Sequence, residues 1–272
     1  MNRRLALLLA LSLLAGRARA GEPPVRFEVT YAPTVRTGPI AARVYVMLGP
    51  ADAHHEPRRG PDWFGTQPFF AVEAKDWRPD EPLPVGPDAI SFPGPLSELE
   101  PGRYQAQAVV RLNPDTRRLG DGEGNAYSAA VAFFAGGNEP AVVRLRVARI
   151  VPPRRFRETA RLKLVDIPSP LLSAIHRREI RHRAVVVLPE GLKAAETRPA
   201  LYIIPGFGGS AFATHEGGGA RYGRDFVQVV LDPDCGTGHH VFADSATNGP
   251  RGRALVEELI PHIEALYPVR PD

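Results

Sequence analysis

The chain has 272 residues, 43% hydrophobic and 24% charged, with 34 lysines and arginines against 30 aspartates and glutamates. Four of those arginines (Arg3, Arg4, Arg17, Arg19) and no acid fall in residues 1–20, so the remainder is formally neutral and offers no basic face to nucleic acid or an anionic membrane. A single cysteine, Cys235, excludes an internal disulfide and leaves stability to core burial.

The N-terminus places Asn2-Arg3-Arg4 before an apolar run from Leu5 to Ala15 and then Ala18-Arg19-Ala20, the basic, hydrophobic and small-residue regions of a secretory signal. The run is too short to span a bilayer, so the expectation is a secreted or periplasmic product cleaved near Ala20, without stable membrane insertion. The 29 prolines and 26 glycines are dispersed between apolar runs, which predicts many turns rather than disorder.

From residue 21 to 158 short β-type runs follow one another: Phe27-Tyr31, Ala42-Leu48, Ala71-Trp77, Arg103-Leu112, Tyr127-Phe134 and Val142-Val151. Tyr104 to Val109 and Val143 to Val147 alternate with period two, glutamines or arginines on one face and apolar residues on the other, which predicts an antiparallel sheet with one wet and one dry face. An all-β, immunoglobulin-like sandwich is expected. The long loop from Gly49 to Phe70, carrying Trp63 and Phe64, reads either as a contact to substrate or second domain or as a surface excursion with its aromatics tucked underneath.

After the linker Pro152-Pro153-Arg154-Arg155-Phe156 the pattern changes, and residues 159–272 read as a second domain. A strand over residues 161–167 leads to Ser169, which can cap a short helix with Pro170 in its first turn. Residues 184–188, 200–204 and 226–231 are compact Val/Ile/Leu runs with little alternation, the pattern of strands buried on both faces and covered by helices. A final helix is expected from about Gly249 to Tyr267, capped by Asn248, with Leu255, Leu259, Ile263 and Leu266 as its apolar stripe and a bend at Pro261.

Candidate chemistry centres on Pro205-Gly206-Phe207-Gly208-Gly209, a glycine-rich turn at the end of a buried strand. Glycines let a backbone turn sharply and aim amides at one point, the geometry that stabilises the developing oxyanion of acyl transfer. Asp232, just past a strand end, is a candidate substrate contact. His239-His240 are adjacent and point apart on a strand, with no acid or cysteine at a zinc spacing, so neither a metal nor a cofactor is expected.

Three segments, Ala184 to Gly191, Tyr202 to Gly209, and Asn248-Gly249-Pro250 with Glu258 to Glu264, resemble the esterase family of the α/β-hydrolases that includes S-formylglutathione hydrolases, feruloyl and acetylxylan esterases, enterochelin esterases and mycolyltransferases. The resemblance covers about residues 165–268. It implies a mostly parallel sheet with helices, hydrolysis of a small-molecule or polysaccharide-linked ester through an acyl-enzyme, and an oxyanion donor at Phe207 flanked by Gly206 and Gly208. Relatives commonly carry histidine where Pro205 stands. No G-x-S-x-G nucleophile elbow occurs in the chain, since Ser210 is followed by Ala211-Phe212 and Ser245 lies in Ala243-Asp244-Ser245-Ala246-Thr247. The expectation is therefore an incomplete α/β-hydrolase domain, inactive alone, whose serine, acid and histidine lie past Asp272. The alternatives are a noncatalytic exported binding protein, in which the turn is only a connection, and an acyltransferase using the same chemistry.

Overall fold

The computed structural model describes residues 25–60, 66–137, 141–193, 195–215 and 225–270. The expected secretory signal (residues 1–20) and the loop aromatics Trp63 and Phe64 lie outside the described residues.

Nine strands make the first sheet: β1 (Val25–Tyr31), β2 (Ile40–Pro50), β3 (Phe69–Trp77), β4 (Leu83–Val85), β5 (Ile90–Phe92), β6 (Gly102–Val110), β7 (Ala126–Ser128), β8 (Val131–Ala135) and β9 (Ala141–Ile150). Their order is β4-β1-β9-β7-β6-β2-β3-β5, with β8 also paired to β6. All pairs are antiparallel except β1 with β9, which run parallel in the register Val25↔Ala141 to Tyr31↔Val147. The sheet is sandwich-like, with one buried cluster in which Phe27, Val29 and Tyr31 meet Val44, Val46, Leu48, Ala106, Ala108, Leu145 and Val147.

Alternation along β9 follows the sequence: Val143, Leu145 and Val147 are buried while Arg144 and Arg146 face solvent. In β6 it does not. Gln107 is fully buried, because residues 56–58 fold over that face: Arg58 N–H donates to Gln107 Oε1 (3.0 Å), Gln107 Nε2 donates to Ser128 O (2.8 Å), and the Arg58 guanidinium lies 4.1 Å from the centroid of Tyr127. The expected wet face is thus covered, and Tyr45, Met47, Ala71 and Val109 form a second small core on it.

The second sheet holds β10 (Leu162–Pro168), β11 (Arg181–Val187), β12 (Ala200–Ile203) and β13 (Val227–Leu231) in the order β10-β11-β13-β12. β10 with β11 and β11 with β13 are antiparallel; β12 with β13 alone is parallel. Two-residue ladders follow, β14 (Asp234–Cys235) with β15 (Gly238–His239) and β16 (Asp244–Ser245) with β17 (Gly249–Pro250). The described helices are α1 (Pro170–His176) and a continuous rod of α2 (Arg251–Ala254), a π segment (Leu255–Leu259) and α3 (Ile260–Leu266).

This overturns the expected fold class. The protein is mostly β-strand, in mixed and antiparallel sheets with few helices, and does not form the mostly parallel, helix-covered sheet of an α/β-hydrolase domain. The physical reason is that a run buried on both faces has the same composition whichever way its neighbour runs, so burial carries no strand direction. Between β12 and β13 the described residues hold only a 3-10 turn, Ala211–Ala213.

Ser169 caps α1 as its sequence position predicts, accepting from Leu172 N–H (3.2 Å). The N-cap of α2 is Pro250, not Asn248, and the first-turn amides of Gly252 (2.6 Å) and Arg253 (3.2 Å) instead donate to Asp244 Oδ1. The helix absorbs Pro261 by widening to the π segment just before it, since proline has no N–H to offer a preceding carbonyl. Leu259 and Ile263 pack against Val165, Val186, Val229 and Leu231, while Leu266 in the last turn is exposed.

Candidate functional site

The glycine turn leaves the carboxyl end of β12, the strand in the parallel pair. Gly209 N–H donates to Gly206 O (2.9 Å), which closes the turn and uses one of its amides. Gly208 has φ +87°, the left-handed region that favours glycine, and a Cβ at Gly209 would lie 2.6 Å from Pro205 Cβ. Phe207, at the tip, is 58% exposed.

His239 braces this turn. Val241 N–H donates to its Nδ1 (3.1 Å), which places the ring proton on Nε2, and Nε2 donates to Pro205 O at 2.8 Å. The imidazole stacks on Phe207 with centroids 6.4 Å apart and planes at 28°. A histidine thus steadies the turn from 34 residues downstream, although position 205 itself is proline.

The first sheet reaches the same place. Arg117 lies 5.0 Å from the Phe207 ring centroid and 3.9 Å, through Nε, from Asp234 Oδ1; Thr116 Oγ1 donates to Asp234 Oδ2 (2.8 Å) and Arg111 Nη2 to Gly236 O (2.9 Å). Loop 111–117 therefore ties the two sheets together beside the turn.

Behind it, between the sheets, lies a polar cavity of about 150 Å³ lined by Asp232, Asp234, Arg154, Arg183, His240 and Arg251 among others. Gly206, Phe207 and Gly208 are not in its wall. The Asp232 side chain is 5% exposed, its Oδ2 bound by Arg154 Nη2 (3.1 Å), and Arg154 Nη1 donates to Ser210 Oγ (2.8 Å). Asp232 Oδ1 has no hydrogen-bond partner among the described residues. Burial raises the Asp232 pKa, and Arg154 opposes that rise.

His240 is 3% exposed, and Phe242 N–H donates to its Nδ1 (3.1 Å). Burial, helped by the Arg251 charge, lowers its pKa to about 3, so the ring is neutral with its proton on Nε2. A separate polar knot ties α1 to the π segment: Ser169 Oγ donates to Glu258 Oε2, Leu171 N–H to Oε1 (2.8 Å), and His182 Nε2 approaches Oε2 at 2.9 Å. Burial would raise the Glu258 pKa, but these partners hold it below the usual value.

The structure thus brings Gly206, Phe207 and Gly208 together in one exposed arc and places Asp232 in the cavity behind. The sequence carries no signal for Arg117 or Arg251 in these roles, and for His239 only the adjacent His239-His240 pair, of which one ring faces the turn and the other the cavity. Among the described residues no group of three or more His, Cys, Asp or Glu could hold a metal ion, and no helix is long and apolar enough to cross a membrane. No protein-family model and no curated protein matches the chain.

Proposed function

We propose that this chain belongs to an exported ester hydrolase and supplies the oxyanion-stabilising turn of its acyl-transfer site. The observation that carries the reading is the turn itself: Gly208 at φ +87°, at the carboxyl end of a strand, with its tip at the surface and its base held by His239. The sequence likeness to esterases over residues 184–191 and 202–209 supports it. The corrected fold class leaves the reading open, because oxyanion holes recur on unrelated architectures.

In this reading Gly208 presents its backbone to an ester carbonyl, and the Phe207 ring, stacked on His239, walls the acyl group. These 272 residues hold no G-x-S-x-G, so the part assigned to them is the oxyanion turn and not the attacking serine. Water then releases the acid, or an acceptor alcohol takes the acyl group. Asp232, buried in the cavity behind the turn and paired with Arg154, has no part in this reading.

The native exported gene product, assayed with short-chain nitrophenyl esters, should turn over and label with a fluorophosphonate. Gly208→Val should lower kcat about a hundred- to a thousand-fold with little change in KM, the loss expected for one oxyanion donor. Absence of ester turnover in the native product, or an unchanged kcat in Gly208→Val, would refute the proposal.

A further inference from the structure

Each acid that lines the cavity between the sheets already has an arginine within 4.0 Å: Asp115 has Arg178, Glu123 has Arg183 and Arg154, Glu179 has Arg181, Asp232 has Arg154 and Asp234 has Arg117. Of the four arginines in the wall, Arg154, Arg181 and Arg183 take part in those pairs. Arg251 does not. It is 8% exposed, and its Nε donates to Asn248 O (3.0 Å), while among the described residues its two Nη groups meet no acceptor and no carboxylate lies in ion-pair range. The field of Asp115 reaches it, but Arg178, bound to Asp115, opposes that field. A guanidinium in a largely buried residue without a counter-charge keeps its unpaired Nη groups for water or a bound anion, and an anion offsets the cost of its burial.

His240 shares that wall. Its Nδ1 is taken by Phe242 N–H, so Nε2–H is its remaining donor, on a residue that is 3% exposed, and Nε2 has no hydrogen-bond partner among the described residues. The free edge of Arg251 is its Nη1/Nη2 fork, which matches the two oxygens of a carboxylate.

We propose that the cavity is a binding site for one small organic carboxylate, of about the size of acetate, gripped by the Arg251 fork and by His240 Nε2–H. A planar monoanion fits better than a tetrahedral one, because one fork and one further donor satisfy a carboxylate and leave oxygens of phosphate or sulfate facing Asp232 and Asp234. The site is separate from the glycine turn and does not rest on the ester-hydrolase reading, since it is tested by binding without turnover.

Titrate the purified chain with sodium acetate by calorimetry, replacing chloride so that ionic strength is constant. Saturable one-site binding is expected, with phosphate binding more weakly. Arg251→Met should lower the acetate affinity at least about tenfold, the loss expected for a hydrogen-bonded charge, and His240→Phe severalfold. Should Arg251→Met fail to fold by circular dichroism, His240→Phe decides alone. No saturable acetate binding to the wild type, phosphate binding tighter than acetate, or an unchanged affinity in His240→Phe overturns the proposal.

Discussion

His240 shows how position alone sets a charge state. Burial and the neighbouring Arg251 hold its folded pKa near 3, whereas the unfolded chain returns it to the ordinary 6.5. The unfolded state therefore binds the extra proton first, so the contribution of this residue to stability is complete above about pH 6.5 and is lost as pH falls toward 3. Its slope is at most one proton, about 1.4 kcal/mol per pH unit. Urea unfolding of the wild type and His240→Gln between pH 4 and 6 should show the wild type losing stability faster by up to that amount. Glu123, Glu258, His182 and Asp232 titrate in both proteins and cancel in the difference. Parallel curves would show that His240 is not held neutral.

At the scale of elements, the joint between α1 and the π segment depends on one hydroxyl. Ser169 is fully buried, caps Leu172 N–H and donates to Glu258, so Ser169→Ala removes a helix cap and a donor to a carboxylate together. The expected cost is about 2 kcal/mol, read as a lower urea midpoint at unchanged slope; a loss under about 0.5 kcal/mol would mean that Glu258 is satisfied without it. Elements of this kind were legible where the cause was local. Ser169 before Pro170 announces its helix, and Val143 to Val147 announces which side of β9 is dry. Gln107 misled because what covers it, Arg58 and Glu56, arrives from 49 and 51 residues away. The runs at 184–188 and 226–231 declare strands, yet their antiparallel pairing is a long-range choice that side-chain pattern does not record. The same limit holds at the site: the glycines of residues 206–209 declare a turn by themselves, while Arg117 and His239 converge on Phe207 only through the fold.

At the scale of the whole molecule, each sheet has its own apolar core, whereas several of the contacts that join them are polar. Glu123 is central to that joint. Its carboxylate accepts from the Arg154 backbone N–H (3.0 Å) in the linker and pairs with Arg183 on β11, while its backbone belongs to the connection between β6 and β7. Burial would raise the Glu123 pKa, but those partners hold it below the usual value, so its contribution is present above about pH 4.5 and lost as pH falls through the lowered folded value. Polar joints between two cores couple them weakly compared with a shared apolar interface. Glu123→Gln keeps the shape and removes the charge, and it should cost about 2 kcal/mol, less than a fully buried pair because both partners retain some solvent contact. Scanning calorimetry at pH 7 should then show one transition for the wild type and two for the variant, one for each sheet, and the wild type should show the same splitting once pH falls through the lowered folded pKa of Glu123. One unsplit transition in the variant, at the wild-type temperature, would show that the sheets are coupled by something other than this carboxylate.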